Sequence, residues 1–147
     1  CAGAPDTPEI MEEVKTAFAK LDEERGNIIW IEEMLPKPEL NALEHGCDAF
    51  ICPSIYEPLG IVNLEAMACG LPVATSIYNG CHPELVHKDE NGITFDSYKE
   101  ETLVAALDYF HHQDLKAMGR NSMDLEKEFN TEHCARRVYE ALTGGGC

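Results

Sequence analysis

Residues 49–75 read AFICPSIYEPLGIVNLEAMACGLPVAT, and this segment alone predicts the fold class. It opens with the short apolar run 49–52, which is typical of a strand buried on both faces. Residues 61–69 predict an almost wholly apolar helix that ends at Gly70, and residues 72–75 predict a second strand. A strand, a helix and a strand joined by short connections predict a βαβ unit and a parallel sheet.

The same alternation continues on both sides of this unit. Before it, the pattern predicts a helix from Pro8 to Gly26, a strand over 28–31 and a helix over 38–45. After it, a turn at Asn91-Gly92 leads to a strand over 93–95 and to helices over 101–112, 115–129 and 132–142. We therefore expect an α/β fold with a Rossmann-like parallel sheet and helices on both faces. Residues 1–143 are expected to form one domain, and residues 144–147 a flexible glycine-rich tail.

The composition argues against two classes of partner. The 147 residues include 11 Lys and Arg against 27 Asp and Glu, which gives a net charge of −16. Such a chain is unsuited to the phosphates of nucleic acids and of anionic membranes. No apolar run reaches the roughly 20 residues that a membrane span needs. The 7 cysteines are an odd number without a C-x-x-C pair, which favours reduced thiols in the cytoplasm over a disulfide framework or a zinc site.

The loops that follow the strands are the expected place for a function, because ligands bind outside the carboxyl ends of parallel strands. The loop after the first of these strands enters its helix near Gly60. The amides of Leu59, Gly60 and Ile61 are therefore expected to point outward at a helix N-terminus. Glu57 and Glu65 flank this amide cluster. Two carboxylates beside several donors suit a polyhydroxylated ligand, because carboxylates accept hydrogen bonds from neighbouring hydroxyls.

Both glutamates also have an ordinary interpretation. In it, Glu57 is an acid favoured by the helix dipole, and Glu65 lies on a solvated helix face. Glu65 stands in an apolar helix, however, where a lone acid is costly unless it is paired or points into a cavity. Residues 38–87 contain no Lys or Arg, so neither acid has a local cation. This context favours a hydroxyl-rich ligand.

Asn79 and Gly80, in the loop after the second strand, allow two interpretations. Left-handed conformations here would turn successive amides into an anion-binding nest. The alternative is a plain turn. His82 in the same loop is more typical of a packed or solvated histidine than of a base, and no histidine of the chain indicates a metal site.

Residues 57–73, EPLGIVNLEAMACGLPV, resemble the E-x7-E signature and the following strand of retaining glycosyltransferases with the GT-B fold. The segments AGAPDTPE at 2–9 and WIEEMLP at 30–36 are similar to bacterial glycogen synthases of glycosyltransferase family 4. The resemblance covers residues 2–142. It implies the carboxyl-terminal, donor-binding half of a GT-B enzyme, truncated at its amino terminus.

The resemblance also implies an activity. Glucose would pass from a nucleotide diphosphate sugar, ADP-glucose or UDP-glucose, to an α-glucan with retention and without a metal or other cofactor. Glu57 would be the catalytic residue that holds the sugar, and Glu65 would bind the ribose hydroxyls. The full set of residues that it assigns to the donor is Glu65, Leu59, Gly60, Ile61, Asn79, Gly80 and Met34, the last of these near the base.

Two departures from the family pattern follow from the sequence. The arginine and lysine that neutralise the diphosphate belong to a first βα unit that is expected to be missing here, together with the amino-terminal acceptor domain. In the family's Gly-Gly-x-Pro-Glu loop, Asn79 replaces the first glycine and an extra residue precedes Pro83-Glu84. These departures put phosphate contacts from that loop in doubt.

We expect little or no transferase activity from the chain alone, and a homo-oligomer formed through apolar surface left uncovered. The rival hypothesis is a non-catalytic binding or assembly module that keeps the sheet.

Overall fold

The computed structural model describes residues 7–80 and 82–144. The opening AGAPD of the resemblance, Cys81 and the last three residues of the expected tail lie outside the described residues. The chain divides into two compact units, Cys1–Leu40 and Asn41–Cys147. Among the described residues, no helix is long and apolar enough to cross a membrane.

The amino-terminal unit is built on helix α1, Pro8–Arg25. Gly26 follows it at φ 63°, a left-handed conformation that ends a helix. The strand predicted over 28–31 is wrong, since the structure assigns only a bridge at Ile31. Burial on both faces does not occur, because the Ile29 side chain is 77% exposed. Trp30 instead stacks on Phe18 of α1 with ring centroids 5.2 Å apart.

The remaining elements follow the predicted alternation of strands and helices, apart from the short helix α4, which was not predicted. Their bounds are α2 Lys37–His45, β1 Phe50–Cys52, α3 Ile61–Ala68, β2 Val73–Ser76, α4 His82–Leu85, β3 Gly92–Phe95, α5 Glu100–His111, α6 Leu115–Glu126 and α7 Thr131–Thr143. The single helix predicted over 115–129 ends at Glu126 and continues as a short 3-10 turn, Lys127–Phe129.

The three strands form a parallel sheet in the order β1-β2-β3. Phe50 pairs with Val73, and Val73 pairs with Gly92. All four residues of the central strand β2 are buried. The carboxyl ends of the strands consequently meet at one edge, where the loops after β1 and β2 lie side by side.

Two apolar cores cover the two faces of this sheet, as the sequence predicts. Val73 packs in one core with Met67 of α3. Its neighbour Ala74 packs in the other core with Phe110 of α5. Adjacent strand residues point to opposite faces, so helices are needed on both. The expected α/β fold with a parallel sheet between helices is confirmed.

The turn before β3 differs from the expected Asn91-Gly92 turn. Gly92 is the first residue of β3, and a Cβ atom there would collide with the carbonyl oxygen of Val73. The chain reverses at Asp89, which has φ 67°. Asn91 is buried and braces the turn, because its Oδ1 accepts from the His87 amide at 2.8 Å and its Nδ2 donates to the Leu85 carbonyl at 2.8 Å.

Candidate functional site

The loop after β1 places Glu57 at the amino-terminal end of α3. Glu57 Oε1 accepts hydrogen bonds from the amide of Gly60 at 3.0 Å and from that of Leu59 at 3.4 Å. A carboxylate is stabilised at this end of a helix by the free amides and the positive end of the helix dipole. The expected outward orientation of the Leu59 and Gly60 amides is therefore corrected, because both donate to Glu57. The Ile61 amide, the first of α3, has no acceptor among the described residues.

Gly60 has a backbone conformation and surroundings that only glycine fits. Its φ is 68°, in the left-handed region. A Cβ atom there would lie 2.6 Å from Asn79 Oδ1 and 2.9 Å from Asn63 Nδ2. Two buried amide side chains thus lie directly against the residue from which α3 starts.

The loop after β2 is joined to the Glu57 loop through the backbone. Glu57 and Asn79 form an isolated parallel bridge, and the amide of Gly80 donates to the carbonyl oxygen of Glu57 at 2.8 Å. A Cβ atom at Gly80 would collide with the Pro58 carbonyl oxygen. The structure therefore brings the two predicted loops together at the carboxyl edge of the sheet.

The anion-binding nest at Asn79-Gly80 is not formed, and the segment is a plain turn. Among the described residues outside glycine, only Asp89 has a positive φ, and Gly80 is not among the glycines with one. The Asn79 amide donates to the Ser76 carbonyl at 3.0 Å, and the Gly80 amide is taken by Glu57. His82 Nδ1 lies 2.8 Å from the Asn79 carbonyl oxygen, which agrees with a packed histidine rather than a free base.

Glu65 and Met34 lie in different surroundings. Glu65 is half-buried on α3, one helical turn beyond Ile61. Met34 belongs to the amino-terminal unit, and its side chain is 81% exposed.

A buried polar cluster beneath the Glu57 loop was not predicted. Its members are Asn63 of α3, Thr75 of β2 and Asn79, and each is 0% exposed. Thr75 Oγ1 accepts from Asn79 Nδ2 at 3.2 Å and from Asn63 Nδ2 at 3.3 Å. Asn63 Oδ1 is buried without a hydrogen-bond partner among the described residues. A single asparagine within the apolar run 61–69 was the available signal for this cluster.

A second polar network, at the carboxyl end of β3, was also missed. Asp96 Oδ1 accepts from the Tyr78 hydroxyl and from the Tyr98 amide, both at 3.0 Å, and Lys99 Nζ lies 2.9 Å from Asp96 Oδ2. The hydrogen bond from Lys99 is the main cause that lowers the pKa of Asp96, and the hydrogen bond to Asp96 raises the pKa of Tyr78. The rings of Tyr78 and Tyr98 meet edge to face with centroids 5.2 Å apart. The spacing of Asp96 and Lys99, three residues apart, was the available signal for an ion pair.

Among the described residues, neither a metal-binding cluster nor the apolar groove along α7 includes residues of these two loops. Within residues 7–80 and 82–144, no group of three or more His, Cys, Asp or Glu side chains is arranged to hold a metal ion. An open apolar groove of about 650 Å³ runs along α7. Its lining residues are Phe129, Thr131, Cys134, Ala135, Val138, Tyr139 and Leu142. None of these lining residues belongs to the loops after β1 and β2. The expected self-association stays a prediction.

Sequence comparison places the chain among sugar-transferring enzymes. The profile of the family "Glycosyl transferases group 1" matches residues 11–125. The chain is 45% identical over 109 residues to the alpha-maltose-1-phosphate synthase of Mycolicibacterium smegmatis. The aligned segment covers 73% of this chain and 28% of that protein. It is 48% identical over 94 residues to the enzyme of that name from Mycobacterium tuberculosis, covering 64% of this chain and 23% of the relative. The chain thus spans less than a third of the length of the curated relatives that it matches.

Structural comparison agrees on the fold. The structure of Anabaena HepE in complex with UDP-glucose superimposes with a TM-score of 0.78 at 21% identity, covering 97% of this chain and 40% of that one. The catalytic domain of starch synthase IV from Arabidopsis thaliana, bound to ADP and acarbose, superimposes with a TM-score of 0.72 at 22% identity, covering 97% and 31%. With the sheet, the Glu57 loop and the family match in agreement, the chain belongs to the group 1 glycosyltransferases of GT-B type.

Proposed function

We propose that the joined loops after β1 and β2 form the sugar-binding side of a nucleotide-sugar site. The protein that carries this site transfers glucose from ADP-glucose or UDP-glucose to an α-glucan with retention of configuration. One observation carries the proposal. Glu57 is held at the start of an apolar helix by the Gly60 and Gly80 amides, and the half-buried Glu65 follows on that same helix.

In this proposal the two glutamates divide the work. Glu57 Oε1 accepts hydrogen bonds from the amides of Leu59 and Gly60. The other oxygen, Oε2, therefore accepts hydrogen bonds from the hydroxyls of the donor glucose. The Glu65 carboxylate accepts one hydrogen bond from each of the two ribose hydroxyls of the donor. A carboxylate has two oxygens, which suit two neighbouring hydroxyls.

The chemistry of transfer gives the amides of this loop a second task. The bond between C1 of the donor glucose and the diphosphate breaks, a bond from C1 to an acceptor hydroxyl forms, and the nucleoside diphosphate leaves. Negative charge grows on the leaving oxygen, and the Ile61 amide at the start of α3 is a preorganised donor for it. Residues 38–87 contain no Lys or Arg, so the cations that neutralise the diphosphate come from outside this segment. Asn79 and Gly80 contribute by fixing the Glu57 loop, because their amides already have acceptors.

A second candidate acceptor is favoured by the sequence comparison. The 45% identity over 109 residues is to an alpha-maltose-1-phosphate synthase. In that case the acceptor hydroxyl belongs to a glucose phosphate rather than to a glucan, and the product is a disaccharide phosphate. The donor side of the reaction is unchanged, so Glu57 and Glu65 keep the roles given above.

Calorimetric titration of the 147-residue chain tests the proposal. Saturable binding is expected for ADP-glucose or UDP-glucose, and weaker binding for the matching free diphosphate because the Glu57 contacts to glucose are lost. The protein that carries this site is then assayed with maltoheptaose and, separately, with glucose 1-phosphate as acceptor to rank the two acceptor classes. Absence of saturable binding by both nucleotide sugars would contradict the proposal and favour the non-catalytic module.

A further inference from the structure

The polar cluster formed by Asn63, Thr75 and Asn79 lies directly beneath the loop that carries Glu57. Its three side chains come from a helix, a strand and a loop, and all are fully buried. Buried polar groups are expensive unless they are hydrogen-bonded. Apolar side chains would fill the same space at a lower cost in free energy. The polar side chains are therefore best explained by the groups that they orient.

The hydroxyl of Thr75 ties the cluster together. Its oxygen accepts from Nδ2 of Asn79 at 3.2 Å and from Nδ2 of Asn63 at 3.3 Å. A hydroxyl oxygen has two lone pairs, and both are used here. The two amide side chains therefore take their orientation from one atom on the most buried strand of the sheet.

Asn79 transmits this orientation to the Glu57 loop at two points. Its side-chain amide lies against Gly60, where an added Cβ would approach Oδ1 to 2.6 Å. Its backbone forms the bridge with Glu57, and the following amide, that of Gly80, donates to the Glu57 carbonyl at 2.8 Å. Gly60 in turn donates its amide to Glu57 Oε1 at 3.0 Å. A path of direct contacts thus runs from Thr75 through Asn79 and Gly60 to the Glu57 carboxylate.

We propose that Asn79 and Thr75 are positioning residues for Glu57. The hydrogen bond between them sets where Gly60 places its amide and therefore where the Glu57 carboxylate stands. Turning the Asn79 side chain away from Thr75 would break their hydrogen bond in a fully buried site, where such a loss is expensive. As far as donor affinity is concerned, the inference rests on the proposed function, whereas the placement of the carboxylate is independent of any ligand.

The ligand-free test records by NMR how far the Gly60 amide resonance moves when Glu57 is replaced by Ala, in the wild type and in each variant. In the wild-type background this Gly60 shift is expected to be large, because the amide loses its 3.0 Å hydrogen bond to Glu57 Oε1. Thr75→Val keeps the shape of the side chain but removes the acceptor, so the amplitude of the shift is expected to fall at least about twofold, since hydrogen bonds weaken steeply with misalignment. Thr75→Ser keeps the hydroxyl and is expected to retain the wild-type amplitude.

A matched control separates positioning from loss of stability. Phe110→Leu weakens the core on the opposite face of the sheet, away from the cluster. When each variant is measured at the same number of degrees below its own melting temperature, Phe110→Leu is expected to keep the full Gly60 shift. Thr75→Val, Thr75→Ser and Phe110→Leu are then titrated with whichever nucleotide sugar the wild type binds, and of these three only Thr75→Val is expected to lose affinity, by about tenfold.

The two readouts fail in different ways. If the wild type binds no nucleotide sugar while Thr75→Val still loses the Gly60 shift, the proposed function is wrong and the positioning role stands. The positioning role is overturned if Thr75→Val keeps the wild-type shift, if Thr75→Ser loses it, or if Phe110→Leu loses as much of it as Thr75→Val.

Discussion

The amide of Gly80 donates a 2.8 Å hydrogen bond to the carbonyl oxygen of Glu57. Residues that follow two different strands are thereby held as one layer at the carboxyl edge of the sheet. The Glu57 side chain cannot be understood from its own loop, because the loop after β2 fixes the backbone that carries it. Several consequences of this arrangement, and of the packing behind it, can be measured.

Glu65→Ala is expected to remove most of the affinity for the nucleotide sugar. A carboxylate that accepts two ribose hydroxyls makes two hydrogen bonds to a charged group, and their joint loss is worth about 3 kcal/mol. That corresponds to a dissociation constant about 100-fold higher, which calorimetric titration measures. Glu140→Ala, an exposed acid on α7, is the control for the change in net charge and is expected to bind as the wild type does. Unchanged affinity in Glu65→Ala would remove the ribose role of Glu65.

Gly119→Ala is expected to destabilise the fold. A Cβ atom at Gly119 of α6 would collide with the carbonyl oxygen of Gly70, just beyond the end of α3. Because the obstacle is backbone, relief requires α6 and α3 to separate, and the free energy of unfolding is expected to fall by about 3 kcal/mol in urea. Gly46→Ala is the milder comparison, since its nearest neighbour there, the Leu43 carbonyl oxygen, lies at 3.3 Å and needs to move only slightly. Equal stability of the two variants would show that the helix contact is looser than described.

Tyr109→Phe is expected to weaken the turn before β3. The Tyr109 hydroxyl donates to Asp89 Oδ1 at 3.0 Å and accepts from the Asp89 amide at 3.1 Å. These bonds hold a non-glycine residue at φ 67°. Their loss is expected to lower the free energy of unfolding by about 1 kcal/mol. Tyr139→Phe, on a ring that is 68% exposed, serves as the control and should leave the urea midpoint in place.

Asp96 is expected to give the fold a stability component that disappears in acid. The pKa of Asp96 lies below its ordinary value of 3.8. The main cause is the hydrogen bond from Lys99, and the second is the hydrogen bond from the Tyr98 amide. A carboxyl group whose pKa is lower in the folded state stabilises that state above the unfolded pKa, and this contribution is lost as the pH falls through the folded pKa. The difference in unfolding free energy between the wild type and Asp96→Asn should therefore be constant above pH 3.8 and shrink below it. A difference that shrinks well above that pH would assign the effect to another group.

Local signals in the sequence were sufficient for the central βαβ unit. The apolar runs around Phe50 and Val73 and the glycine after the intervening helix are short-range features, and each bound of β1, α3 and β2 lies within one residue of its prediction. The run 28–31 is also apolar but forms no strand, because burial depends on neighbours that the local sequence does not reveal. Ile29 is 77% exposed there, whereas Trp30 packs on α1.

The site was predictable in its location and less so in its contacts. The parallel sheet requires that the loops after β1 and β2 meet, and they do. Asn79 contacts Thr75 and Gly60, which lie outside its own loop. Whether the Glu57 carboxylate faces solvent or the amides of its own loop depends on the rotamer of one side chain. The contacts of Thr75 with Asn63 and of Tyr78 with Asp96 join residues 12 and 18 positions apart. Such pairs become visible only once the register of the strands is known.

The most direct test of the donor-site account is an amide-resolved NMR titration of the 147-residue chain with ADP-glucose and, separately, with UDP-glucose. The account predicts selective, saturable shifts at Leu59, Gly60, Ile61 and Glu65 with one of the two donors, and smaller changes along α7. A well-dispersed spectrum in which none of these four amides responds to either donor would contradict it.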